Sequence, residues 1–193
     1  MSDWSAYRTT EIIHDQQPWY ALQLFGLKQK NLYDRLASQG IDVFVPLQNV
    51  DFIDREGKHR HELRPVVSNL LFVKKNMDDL ELAQKLEDFK GHYHIIRKER
   101  GSKEYYHIPA KQMHDFITLC NPDLLMKKFL SEEEASLKPG ARVRVHHGPL
   151  AGLTGRLVRS SGKYYLLKEI PGMAVMIKVT KWCCQEEKPE GRE

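Results

Sequence analysis

At Pro139-Gly140 the chain changes its period, and the two parts read as two domains. Before that point, apolar runs of strand length alternate with stripes at helical spacing. After it come short alternating strands punctuated by glycine: Arg142-Val143-Arg144-Val145, then Gly148 and Gly152, then Gly155-Arg156-Leu157-Val158-Arg159, then Ser160-Ser161-Gly162. Charge changes at the same place. Residues 1–121 carry 17 basic and 17 acidic side chains, while 138–184 carry nine basic residues against Glu169 alone. The net charge of +4 over 193 residues is thus an average over unlike parts. A basic module of this kind is either a solvated surface or a face for nucleic acid or an acidic partner.

The first part reads as alternating strands and helices. Trp19-Tyr20-Ala21-Leu22-Gln23-Leu24-Phe25 is an apolar strand ended by Gly26, and Leu32 and Leu36 mark a helix closed by Gly40. Ile41 to Val45 is a second strand, stopped by Pro46, and 48–66 is a protruding hairpin with its turn near Arg55 to Lys58. Val66 to Val73 is a third strand. Asp78 or Asn76 caps a helix bearing Leu80, Leu82, Ala83, Leu86 and Phe89; Gly91 closes it, and His92 to Arg97 is a fourth strand. Pro109 opens a third helix as its first residue, with Met113, Phe116, Ile117 and Cys120 as its stripe. The order βαβ, hairpin, βαβ, helix is that of an α+β chain with a ferredoxin-like α/β sandwich. The second part reads as a small β-barrel.

The resulting boundaries are an N-terminal extension 1–18, a first domain 19–121, a linker 122–137, a barrel 138–184 and a disordered tail 185–193. The linker is polar through Lys127-Lys128 and Glu132-Glu133-Glu134, yet Leu124, Leu125, Met126, Phe129 and Leu130 leave room for a short docked helix.

Several classes are disfavoured. No apolar run approaches the ~18 residues of a membrane span, and the polar 1–18 stretch is not a signal peptide, so a cytoplasmic protein with no membrane association is expected. Cys120, Cys183 and Cys184 form no CxxC pair. His59/His61 and His92/His94 sit at i, i+2, but no further ligand is spaced to complete a metal site. No HExxH, GxSxG, Walker A or GxGxxG sequence occurs, so neither an enzyme nor a cofactor is expected. The hairpin tip alternates Lys58, His59, Arg60 and His61, which is either a solubilising loop or a contact for phosphate.

Residues 140–158 resemble a KOW motif: Gly140, the alternating Val143 and Val145, Gly148-Pro149, Gly152 and Gly155. Gly148 and Gly152 permit positive-φ turns and Gly155 permits close strand approach. Trp19-Tyr20, Phe44-Val45-Pro46, the hairpin and the 67–73 strand resemble the NusG N-terminal domain. Together they resemble the NusG-like transcription elongation factors over about 19–181.

The resemblance implies a first domain that grips the clamp helices of RNA polymerase through an apolar depression near Trp19, Phe44, Val67, Asn69 and Leu70. An ordinary core role for these residues is the bland alternative. It also implies an SH3-like KOW barrel that recruits a ribosomal protein or Rho, and a monomer whose hairpin meets upstream or non-template DNA. Val67-Ser68-Asn69-Leu70 stands where the family usually has an aromatic-Pro-Gly-Tyr stretch, with Asn69 able to take the glycine's left-handed conformation. That departure resembles the specialised RfaH and UpxY-type antiterminators of surface-polysaccharide operons. The alternatives are a general NusG elongation factor and a KOW-type RNA-binding or ribosome-associated protein.

Overall fold

Strand alternation builds the first unit. Trp19–Leu24 (β1) sends Tyr20, Leu22 and Leu24 to one side. Gln29–Ser38 (α1) follows, then Val43–Phe44 (β2), the hairpin Leu47–Ile53 (β3) and His59–Pro65 (β4), and Leu70–Lys74 (β5). Asp79–Lys85 (α2), Tyr93–Ile95 (β6) and Ala110–Cys120 (α3) complete it. The computed structural model describes residues 16–99 and 101–187, and these divide into two units between Pro122 and Asp123.

The main sheet has the order β2-β5-β1-β6, antiparallel throughout. Each crossover skips a position: β5 separates β1 from β2, and β1 separates β5 from β6. This is the split βαβ arrangement expected from the element order. One face of the sheet buries Tyr20, Leu22, Leu71 and Val73 against Leu32 and Leu36 of α1 and Leu82 of α2. The other face packs on α3. Phe44 and Phe72 lie 6.2 and 5.7 Å from Phe116, and 6.3 Å from each other. Period-two side-chain alternation places Leu70 on this second face with Phe72.

Local details depart from the sequence reading. Pro109 is the cap of α3 and not its first helical residue. The fourth strand is only Tyr93–Ile95. Leu80, expected on the buried stripe of α2, is 70% exposed, since Leu82 and Leu86 already fill the inward positions of this short helix.

Asp79, at the start of α2, accepts a hydrogen bond from the Tyr20 hydroxyl and lies 3.4 Å from Lys75 Nζ. The Tyr20 bond comes first among the influences that hold the Asp79 carboxyl below its ordinary range; burial and then Asp79 push the Tyr20 hydroxyl up. A carboxyl depressed in the folded state adds stability above its unfolded value of about 3.9, and that stability is lost as pH falls through the folded value. Tyr20→Phe is therefore expected to cost about 1 kcal/mol at neutral pH, modest because Asp79 is half exposed, and less below about pH 3. Urea denaturation of both proteins at the two pH values checks this.

The second unit contains Lys127–Leu130 (β7), Glu132–Ser136 (α4), Ala141–Val145 (β8), Thr154–Ser160 (β9), Lys163–Ile170 (β10), Met173–Val179 (β11) and Cys184–Glu186 (β12). Its sheet is antiparallel in the order β12-β8-β9-β10-β11-β7. The stretch read as a linker instead holds β7, an edge strand of this sheet, and α4, which packs against it. Phe129 pairs with Val175 in β11, and Ala135 of α4 is fully buried against Val158, Tyr165, Leu167, Ala174 and Met176.

α4 forms because Ser131 and Glu134 cap it reciprocally: Glu134 N donates to Ser131 Oγ at 3.1 Å, and Ser131 N to Glu134 Oε2 at 2.9 Å. The expected disordered tail is also shortened, since Gln185 and Glu186 pair with Arg144 and Val143. The remainder of that tail beyond 187, and positions 1–15 of the expected N-terminal extension, lie outside the described residues.

Candidate functional site

The apolar cluster expected to face a partner is mostly interior. Trp19, Phe44 and Leu70 are each only 3% exposed, while Val67 and Asn69 are half-buried. The reason is α3, which covers the face of the sheet that Phe44 and Phe72 occupy. Asn69 does not take the left-handed conformation either: among the described non-glycine residues, Met126 and Ser161 have positive φ. The turn is held in another way. Gln29, 4% exposed at the start of α1, donates through Nε2 to the carbonyls of Val67 (3.1 Å) and Leu70. Asn69 O in turn accepts from Leu24 N at 2.8 Å. Gln29 was not singled out from the sequence. Its signal was a polar residue three positions before Leu32 and seven before Leu36, on the stripe that points inward.

Phe44 does reach a surface depression. Phe44, Val45, Leu47, Leu63, Ile117, Cys120, Asn121 and Pro122 line a pocket of about 40 Å³. β2 and the base of the hairpin form one wall, and the C-terminal end of α3 forms the other. Of the five residues expected to form the depression, Phe44 lines this pocket; Trp19, Val67, Asn69 and Leu70 do not.

The hairpin is stiffened by its own charges. Asp54 Oδ1 accepts from the backbone amides of Glu56 and Lys58, both at 2.9 Å, and Asp54 Oδ2 accepts from Arg60 Nε at 2.9 Å. The Arg60 guanidinium, followed by the Lys58 amide, holds the Asp54 carboxyl below its ordinary range. Lys58 pairs with Glu56 at 3.0 Å and His61 with Asp51 at 2.6 Å. Three of the four basic tip residues thus have carboxylate partners within the hairpin, and His59 is exposed beside them. Glu56, Asp54 and Asp51 engage these cations individually.

In the second unit the motif glycines do distinct work. Gly148 and Gly152 have φ of +88° and +89°. A side chain on Gly155 would place Cβ 2.6 Å from Leu167 O, and one on Gly140 would place it 2.2 Å from Leu157 O. Val143 and Val145 are buried, while Pro149 is exposed in the turn between β8 and β9.

This combination defines a split-βαβ domain with an added helix, joined in sequence to a glycine-punctuated β unit. The family model described as "Transcription termination factor nusG" matches residues 17–117, more than half of the chain, and the chain belongs to the NusG family. No curated protein matches it. Membership makes it a transcription elongation or termination factor, of a class that works without catalysis and generally binds RNA polymerase. Among the described residues, no helix is long and apolar enough to cross a membrane.

Proposed function

We propose that the chain is a specialised antiterminator that binds the clamp helices of RNA polymerase through its first unit and keeps transcription of particular operons processive. Surface-polysaccharide synthesis is the favoured target, from the resemblance of Asn69-Leu70-Leu71-Phe72-Val73 to the UpxY type. The observation that carries the reading is the apolar pocket at Phe44, on a family-typical unit with no net charge. An apolar depression on a neutral platform is the usual receptor for a protein anchor. Bridging the clamp would favour the closed, processive state of the enzyme, which is a shift of population.

In this reading the hairpin runs along upstream or non-template DNA through Lys58, His59, Arg60 and His61. The second unit acts as an SH3-like KOW barrel, carrying the motif from Gly140 to Gly155 and recruiting a ribosomal protein or Rho. The factor acts as a cytoplasmic monomer.

One experiment addresses both surfaces of the first unit. Leu63, on the hairpin base and half-buried, lines the pocket. Leu63→Asp is expected to reduce polymerase co-purification at least tenfold while leaving the circular dichroism spectrum intact. Lys58→Glu with Arg60→Glu is expected to weaken crosslinking to DNA in the polymerase complex several-fold and to leave co-purification unchanged. Undiminished co-purification of the Leu63 variant would refute the pocket assignment. A parallel effect of the hairpin pair on both measurements, or on neither, would refute the DNA role. Polymerase occupancy mapped across the genome with and without the protein separates a specialised factor, affecting few operons, from a general one.

A further inference from the structure

The hairpin β3–β4 is a separate two-stranded ribbon. Its strands pair with each other, and among the described residues no ladder joins either to the main sheet. Its direction on the first unit is therefore set at its two joints. One joint, Val45 to Leu47, is buried in the core. The other, Val66 to Asn69, is a surface turn with Ser68 exposed. Backbone bonds hold the turn at both ends: Val66 N donates to Pro46 O at 2.9 Å, which ties the joints to each other, and Leu24 N donates to Asn69 O at 2.8 Å. The Gln29 side chain supplies a further tie.

Gln29 is an odd occupant of its place. It stands on the inward stripe of α1 with Leu32 and Leu36, where a leucine would bury more apolar surface. Its amide nitrogen has two N–H groups and two carbonyls to meet, Val67 O at 3.1 Å and Leu70 O. Its Oε1 is buried and has no partner among the described residues. The reverse orientation of the amide would set Oε1 against two carbonyl oxygens, so the unpaired acceptor is the consequence of serving both. A buried acceptor left unpaired opposes folding. Positions where a local rule is broken in this way mark function. The two carbonyls lie on either side of the turn, so one planar amide fixes where the chain leaves the ribbon and where it enters β5.

We infer that Gln29 is a positioning residue for the hairpin: it pins the surface joint and so sets the direction in which the tip reaches from the first unit. Strands of seven residues make a lever of about 20 Å. A swing of about 15° at the joint moves the tip about 5 Å, more than a charge-assisted hydrogen bond to phosphate tolerates. The base moves little, because Leu47 is buried in the core and Leu63 packs on it. Loss of the pin is therefore felt by the ligand of Lys58 and Arg60, and hardly at the pocket lined by Phe44 and Leu63. What the pin serves rests on the DNA role proposed above; the pin itself does not.

The test is Gln29→Met, which keeps the length of the side chain and removes its donors. Residual dipolar couplings of the backbone amides in the full chain read the direction of the hairpin against the main sheet. In the parent, one alignment is expected to fit both. In Gln29→Met the couplings of residues 48–64 are expected to leave that fit and shrink, while those of β1 and β5 keep it and serve as the folding control. Crosslinking to DNA in the polymerase complex is expected to fall several-fold, with co-purification unchanged. The melting temperature is expected to stay near that of the parent, since the variant also removes the unpaired acceptor. A purely structural role would lower it and leave the couplings alone. Leu32→Val loosens the packing of the same helix without touching the turn, and is expected to change neither couplings nor crosslinking. Couplings in Gln29→Met that still fit one alignment overturn the assignment, and so does a Leu32→Val variant that reproduces the change. Displaced couplings with undiminished crosslinking overturn the positioning role, provided Lys58→Glu with Arg60→Glu loses that crosslinking. If this pair leaves crosslinking unchanged, the DNA role falls by itself, and the couplings still decide the pin.

Discussion

Gly155→Val is expected to unfold the second unit. β9 lies between β8 and β10, and Gly155 pairs with Val143 on one side. A Cβ there would sit 2.6 Å from Leu167 O and 3.0 Å from Leu166 Cδ1. The obstacle is a backbone carbonyl in a buried strand, so no side-chain rotation relieves it. Relief requires β9 and β10 to separate, which breaks ladder bonds and opens the cluster around Val158, Tyr165 and Leu167. Overpacking of this kind costs about 3 kcal/mol or more. A unit of this size holds only about 3–10 kcal/mol in total. Loss of amide dispersion for residues 141–179 in the full-chain NMR spectrum is the readout. Gly148→Ala is the matched control: nothing lies within 4 Å of its added Cβ, and only the positive φ of +88° opposes it. A cost of about 1–2 kcal/mol, without unfolding, is expected there.

Leu70→Asp is expected to unfold the first unit. Were Leu70 an exposed anchor, the same substitution would remove polymerase binding and spare the fold. At 3% exposure, on the face shared with Phe72, its carboxylate would be interred without a counter-ion. A charge in such a place is neutralised or expelled, at a cost of about 4 kcal/mol or more. The strand would also pull on its anchor, because Gln29 holds the Leu70 carbonyl. Chemical denaturation reads the loss. A native-like melt would restore Leu70 to the list of contact residues. Leu63→Asp, at a half-buried position, isolates the surface effect that Leu70→Asp confounds.

The contrast between these two leucines shows what the sequence could tell. Strand order, the crossover helices and the hairpin were legible because period-two and helical stripes, with Gly40 and Gly91 as stops, repeat the backbone geometry directly. Gly155 was legible for the same reason, since a glycine inside an alternating strand has few other uses. Exposure was not legible. Whether Trp19, Phe44 and Leu70 face water depends on α3 covering the second face of the sheet, a tertiary fact that no local pattern encodes. The 127–136 stretch was misread for a related reason. Three glutamates and two lysines gave it a linker's composition, yet the Ser131–Glu134 capping pair and the small Ala135 suited it to a packed helix.

The Asp54 turn has a consequence for molecular discrimination. Any polyanion approaching Arg60 meets a competitor already in place, tethered six residues away and therefore at high effective concentration. Displacing that carboxylate also threatens its bonds to the amides of Glu56 and Lys58, so ligand exchange at the guanidinium is tied to loosening of the loop. Such a tip is insulated against indiscriminate adhesion to phosphate. A ligand whose shape offers something beyond charge, or one held beside it by another attachment, would have the advantage there.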